Sequence, residues 1–351
     1  MVSFASIALL AALLPQQPAG ERAQHWAYRR VVRPRPPVIA RTAIDSFIAA
    51  KLPAAKLVAA RRADRATLVR RLYLDVIGLP PTLAERDAFL SDQREGAYQR
   101  LVDRLLASPH YGERWAVPWL DLARYGDTNG YNLDRNRSVW PYRDWLIDAL
   151  NRDMPFDQFT IEQLAGDMLP DADESTRIAT GFHRHTMLNN EGGVDPKEAR
   201  WERLLDRAST TGTTWLGSTL HCAQCHDHKY DPVSQREFYG LVAFFETQDE
   251  VALQRRDGGK TLVLRERRGA EAVTRLRLRG AFDSPGEAVP AHLPAAFPPK
   301  LEEGVGESPP DRLALARWLV SPDNALTPRV AANRVWMELL GESLISNPED
   351  Y

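Results

Sequence analysis

Cysteine is nearly absent: 351 residues hold two, Cys222 and Cys225. One pair cannot build a structural disulfide framework or a four-thiolate metal centre. A surplus of one charge is missing too. With 45 Lys and Arg against 47 Asp and Glu, the formal net charge is -2, so no polybasic surface argues for a nucleic-acid partner. Lysine is scarce beside arginine, a bias of composition rather than a sign of recognition. There is no apolar run of the ~20 residues that a membrane-spanning helix needs. The nearest, Ile7-Ala-Leu-Leu-Ala-Ala-Leu-Leu14, is followed by Pro15 and by small residues around Ala19. It reads as the core of a signal peptide over residues 1–20. Its flank lacks Lys and Arg, so a buried N-terminal helix is the competing reading. The mature chain is then expected without a membrane span and outside the cytoplasm, periplasmic or extracellular. A Gly-rich phosphate loop and a G-x-S-x-G elbow are also missing.

What is present is the arrangement of the two thiols. Cys222-Ala-Gln-Cys225-His226 has the spacing that attaches a c-type haem: one thiol for each vinyl group and an adjacent imidazole for the iron. Cys222, Cys225 and His226 are therefore the expected attachment residues, with His226 the proximal ligand and haem c the covalent cofactor. Three rival readings stay open. Zinc wants four ligands, and the extra candidates His221 and His228 crowd the same turn. A thioredoxin-like pair follows a strand, whereas the approach here is helical. A plain disulfide leaves His226 unexplained. For the far side of the iron the candidates are Met168, Met187, His183, His185 and His228, with Met187 or His183 preferred.

Helix signals dominate the rest. Residues 21–43, with Arg29-Arg-Val-Val-Arg-Pro-Arg-Pro-Pro37 at their centre, read as an extended linker. Asp64 is placed to cap a helix with Leu68, Leu72 and Val76 on one face, stopped by Gly78 and Pro80-Pro81. Thr82 opens a second helix, Leu101 and Leu105 mark a third, and 110–125 forms a fourth, rich in aromatics. Residues 126–141 form a polar loop whose Asp127, Asn129, Asn132 and Asp134 miss the EF-hand pattern and read as a solvated or capping loop. Helices resume near 142, 156–164 and 174–182. A longer one over 197–216 leads to the motif, and Ser234 caps another over 235–245. Partial alternation in 261–267 and 272–278 predicts a β-hairpin turning at Arg268-Gly-Ala. A Pro-rich linker over 290–310 precedes helices at 311–320 and 327–340. The fold class is mainly α, with a small β-hairpin insert before a C-terminal helical fragment. Its 9 tryptophans are expected as core anchors. Gly192-Gly193 allows a positive φ beside Glu191, and Asp121, Arg124, Arg143 and Asp144 are expected to form a buried ion-pair network between helices.

At this point several segments agree, in order, with one family. They are His221-Cys-Ala-Gln-Cys-His-Asp-His-Lys-Tyr-Asp-Pro232, Leu68-Val-Arg-Arg-Leu-Tyr-Leu-Asp-Val-Ile-Gly-Leu-Pro-Pro-Thr82, Leu105-Leu-Ala-Ser-Pro-His-Tyr-Gly-Glu-Arg-Trp115, Trp119-Leu-Asp-Leu-Ala-Arg-Tyr125 and Asn151-Arg-Asp-Met-Pro-Phe-Asp-Gln-Phe159. The chain resembles the planctomycete cytochrome-C-like proteins, second type (PSCyt-two), a domain of unknown function. The tail from Asp311-Arg-Leu-Ala-Leu-Ala-Arg-Trp-Leu-Val-Ser-Pro-Asp323 resembles the start of the partner domain PSD-one. The resemblance implies a haem c, export and electron transfer. It also implies that the N-terminal cytochrome-like domain of many members is absent, and that 311–351 is a truncated start of the partner domain. The expected layout is thus a signal peptide at 1–20, a linker at 21–43 and a helical cytochrome-c-like domain at 44–247. The hairpin and Pro-rich linker follow at 248–310.

An exported c-type haem protein that passes electrons to an unidentified redox partner protein is the leading expectation. One alternative is a haem-dependent oxidoreductase acting on a small or polymer-derived substrate. The other is a zinc-binding or structural interaction module.

Overall fold

The computed structural model describes residues 25–131, 133–189, 191–267, 269, 273–297, 310–349 and 351. The expected signal peptide and the middle of the Pro-rich stretch lie outside the described residues. The chain divides into two compact units, 31–114 and 25–30 with 115–351. It is mainly helical with small antiparallel ribbons, as the patterning requires.

The smaller unit holds α1 (Ala43–Lys51), α2 (Arg65–Ile77), α3 (Leu83–Ser91) and α4 (Ala97–Leu106). Asp64 caps α2 by accepting from the Thr67 amide at 2.8 Å, and Thr82 with Glu85 forms a capping box on α3. Gly78 ends α2 with φ of 71°, a left-handed stop that a side chain would resist. The buried stripe is Val69, Leu72, Tyr73 and Ile77, one residue round from the expected Leu68 face. Phe89, Leu101 and Leu105 close this core. Arg65 lies over the Phe89 ring, 4.2 Å from its centroid.

Within α5 (Pro109–Ala123) the chain passes into the larger unit. There follow α6 (Trp140–Asn151), α7 (Phe156–Ala165), the short α8 (Glu174–Ala179), α9 (Pro196–Thr211), α10 (Gln235–Ala243), α11 (Arg312–Leu319) and α12 (Leu326–Leu340). The core is aromatic. Trp119, Phe159, Phe182 and Trp215 meet edge to face or tilted, with centroids 4.9–6.2 Å apart. Trp145, Trp215 and Trp318 are buried anchors as expected; Trp26 and Trp140 are exposed. Segment 311–351 packs into this same core through Leu315, Trp318, Leu319 and Leu326. Arg312, fully buried, donates to Asp167 at 2.9 Å and to Glu266 at 3.2 Å.

Three features depart from the sequence reading. First, the hairpin starts one strand earlier. β1 (Gln248–Gln254) pairs antiparallel with β2 (Lys260–Glu266), while β3 (Arg275–Arg277) pairs with β4 (Pro285–Ala288). The turn is Asp257-Gly258-Gly259, where Gly258 has φ of 87° and the Gly259 amide donates to Asp257 Oδ1 at 2.9 Å. β1 is rich in polar residues and shows no alternation, so pattern could not mark it. Second, residues 290–297 are packed rather than a free linker: Phe297 stacks on Tyr28, and the Ala295 amide donates to Glu237 at 2.7 Å. Third, the ion-pair network is elsewhere. Arg143 pairs with its exposed neighbour Asp144 at 2.8 Å, and Arg124, with φ of 57°, swings to Asp206 on α9. The buried charges are Arg312 with Asp167 and Glu266, and Arg184, Arg203 and Arg207 around Glu250.

Candidate functional site

The long helix that leads to the two cysteines starts where Asp195 caps it, with Pro196 in its first turn. It was expected to run to 216, but the α geometry ends at Thr211 and a wider π turn covers Gly212–Leu216. Gly217 then takes φ of 58°; a Cβ there would lie 2.6 Å from the Tyr351 ring and 2.8 Å from Val330. Only glycine turns the chain so sharply at that place. A short 3-10 turn, Leu220–Gln224, follows. It buries Leu220 and Ala223 and turns Cys222 outward; Cys225 just after it is also exposed, and both thiols are free.

The turn is held from behind. Asp227 accepts from the Gln235 amide at 2.8 Å, which ties it to the N-terminus of α10. Ser234 and Glu237 form the capping box that the sequence placed there. The Gln235 side chain donates to the carbonyls of Gln224 at 2.8 Å and Arg277 at 2.9 Å. Tyr239 donates to the same Gln224 carbonyl at 3.2 Å. Burial raises the Tyr239 hydroxyl to about 12, so it stays a donor at any ordinary pH.

His226 is exposed, and its Nδ1 lies 2.7 Å from the Asp227 carbonyl oxygen. A carbonyl only accepts, so Nδ1 must carry the proton. In the neutral ring that leaves a lone pair on Nε2, the nitrogen a metal would use, oriented by a hydrogen bond through the other nitrogen. His228 is placed differently. It is buried, and its Nδ1 accepts from the Asp231 amide at 2.8 Å, so it stabilises the turn. His221 is exposed beside Ser209, with Nδ1 3.4 Å from the hydroxyl.

The candidates for the far side of an iron are scattered. His183 has no exposed surface; its ring meets Phe182 and Phe245, and Nε2 lies 3.4 Å from the Thr211 hydroxyl. Burial, reinforced by Arg207, holds it neutral, far below the usual imidazole range. His185 is buried between Tyr125 and Tyr142, with neither ring nitrogen hydrogen-bonded among the described residues. Burial, with Arg137 nearby, lowers it to about 3. Met168 fills a gap at the edge of the core. Met187 is 54% exposed and rests on the backbone of Gly130.

The other polar loops are occupied by their own bonds. Asp127 accepts from the Tyr125 hydroxyl at 2.6 Å and Asp134 from the Gly130 amide at 2.7 Å, bonds that stay local and cap no helix; Asn132 lies outside the described residues. Gly193 has φ of 91°, and the Glu191 amide donates to Asn189 at 3.0 Å. Among the described residues, no group of three or more His, Cys, Asp or Glu is placed to hold a metal ion.

Sequence reasoning missed the contribution of the β3–β4 ribbon. Gly280, with φ of 73°, lies against the motif so closely that a Cβ there would be 2.4 Å from the Cys225 sulfur. Its only sequence signal was the Gly itself, in a run of alternating arginines.

The donor set fits a c-type haem: two free, exposed thiols on one turn, and an imidazole whose outward nitrogen has its lone pair available. Cys222, Cys225 and His226 are the residues that would hold it. Comparison with known proteins gives no chemistry to add. No curated protein and no solved structure matches the chain. Residues 311–351 match PSD1, a protein of unknown function (DUF1553). Residues 43–250, more than half of the chain, match the PSCyt2 profile, and the chain belongs to that family, described as a protein of unknown function (DUF1549).

Proposed function

We propose that this protein is an exported c-type haem carrier that passes single electrons, with Cys222 and Cys225 as thioether anchors and His226 as the proximal iron ligand. The observation that carries the reading is the His226 hydrogen bond. Nδ1 is committed to the Asp227 carbonyl at 2.7 Å, which fixes the tautomer with Nε2 free beside two unbonded thiols. Each thiol would add its sulfur to one vinyl carbon and its hydrogen to the other, so attachment consumes no oxidant. A haem held there would supply a one-electron Fe(III)/Fe(II) couple.

Zinc is the weaker reading of the same turn. It needs four ligands, while His228 is turned to the Asp231 amide and His221 to Ser209. Met187 and His183 remain the residues proposed for the far side of the iron. Met187 is the exposed one, whereas His183 would have to ligate from inside the core. A redox partner protein is implied by the function, and among the described residues no helix is long and apolar enough to cross a membrane.

The test is to express the chain with an export signal in a host with a haem-attachment system and measure its mass and pyridine haemochrome spectrum after denaturation. One covalently retained haem per chain is expected, lost in Cys222→Ser/Cys225→Ser. His226→Ala should keep the added mass but shift the iron to a high-spin spectrum. An unmodified mass from a competent host refutes the reading.

A further inference from the structure

We propose that the β3–β4 ribbon is a wall of this haem site, with Arg277 binding a haem propionate and Gly280 making room for the Cys225 sulfur. The inference rests on the haem reading of Cys222, Cys225 and His226 and extends that site to residues the motif does not contain.

The ribbon is fastened to the motif. One Gln235 amide group bridges the carbonyls of Gln224 and Arg277, at 2.8 and 2.9 Å, so β3 runs beside the cysteine turn. Three residues later the backbone turns tightly. Arg279 and Gly280 take successive left-handed conformations, φ of 52° and 73°, and the Ala281 amide closes onto the Leu278 carbonyl at 3.1 Å. A non-glycine residue with positive φ is uncommon, and here it brings the Gly280 backbone onto the Cys225 sulfur. With a Cβ 2.4 Å from that sulfur, alanine would displace either the thiol or the ribbon.

The ribbon also carries arginines, at 275, 277 and 279. Arg275 donates to the Gly286 carbonyl at 3.1 Å. Arg277 is different. Its guanidinium lies over the Phe282 ring, 5.2 Å from the centroid, and its Nε is buried with no hydrogen-bond partner among the described residues. No ion pair to a carboxylate is formed by Arg277 or Arg279 among the described residues. A buried guanidinium N–H without an acceptor is an unmet demand for an anionic oxygen. Haem carries two propionate carboxylates, and a planar guanidinium matches a carboxylate with two parallel hydrogen bonds.

The full chain carrying Cys222→Ser/Cys225→Ser makes haem binding reversible and allows the test. Haemin and its dimethyl ester, which lacks the propionate charges, are titrated against it by tryptophan quenching and Soret absorbance. Haemin should bind about tenfold more tightly than the ester. Adding Arg277→Gln should remove that preference, and Arg277→Lys should restore part of it, with circular dichroism verifying the fold of each. Equal affinity for haemin and ester, or a preference that survives Arg277→Gln, overturns the propionate assignment. In the chain with both cysteines, Gly280→Ala should leave a haem joined mainly through Cys222, seen as a red-shifted haemochrome band. Two intact thioethers in Gly280→Ala overturn the role given to Gly280. If the unaltered chain acquires covalent haem and these tests fail, only the ribbon's role falls. If it acquires none in a competent host, the haem reading itself falls.

Discussion

His226 and His183 belong to one compact unit, yet they occupy opposite physical situations. His226 is solvated, and its proton is located by a single backbone carbonyl. His183 has no exposed surface, and the Arg207 side chain donates to its own carbonyl at 3.3 Å. The outer region around Cys222–His226 leaves reactive atoms unbonded and fixes only the backbone behind them. The inner region around His183, His185 and Glu250 keeps imidazoles neutral and compensates charge by charge. The proposed ligand site and the structural polar core thus use the same residue types; what separates them is whether the free lone pair faces water or hydrocarbon.

The largest break in this comparison is Glu250→Ala. Glu250 accepts from Arg203 at 2.8 Å and from Arg207, with Arg184 3.9 Å away. Burial pushes its carboxyl up, but Arg207, Arg184 and Arg203 outweigh that and hold it at about 2. Removing it leaves guanidiniums buried without their counter-charge. A loss of about 3–5 kcal/mol is expected in urea unfolding, and a loss below about 1 kcal/mol would mean the cluster is solvated.

Acid is the next probe. His185 is lowered to about 3 and His183 well below its usual value, so the unfolded chain takes up their protons first as pH falls. Their contribution to stability is complete above the unfolded value of about 6.5 and is lost as pH falls below it, toward about 3 for His185. The expected slope is about 1.4 kcal/mol per pH unit for each histidine. Glu250 adds its own loss between about 4.5 and about 2. Replacing His185 by Phe should flatten the upper part of this decline, and an unchanged slope would place its proton elsewhere.

The smallest effect is expected at the thiols. Both are exposed and unbonded, so Cys222→Ser/Cys225→Ser in the haem-free chain should change stability by less than about 0.5 kcal/mol. A larger change would mean the pair belongs to the scaffold and not to a ligand site.

Caps and stops were legible because they are local. Asp64, Thr82 and Ser234 each bond the amide three residues ahead, and Gly78 relieves a strain within its own residue. The C-x-x-C-H spacing of Cys222, Cys225 and His226 was legible for the same reason. The β1–β2 ribbon was not, since polar β1 is chosen by its pairing partner and by the Asp257-Gly258-Gly259 turn. Nor was the grouping of charges. The sequence suggested Asp121, Arg124, Arg143 and Asp144, whereas packing joined Arg207 on α9 to Glu250 on β1.

By itself the sequence determined the helical class, the capped helix starts at Asp64, Thr82 and Ser234, the family and the five-residue turn with its two thiols and imidazole, all set by interactions within a few residues. Only the tertiary structure decided which histidines are neutral and enclosed, that 290–297 and 311–351 join the main core, and that a glycine of a distant ribbon rests against Cys225. Those outcomes depend on desolvation and close packing between segments far apart in the chain, and no local pattern encodes them.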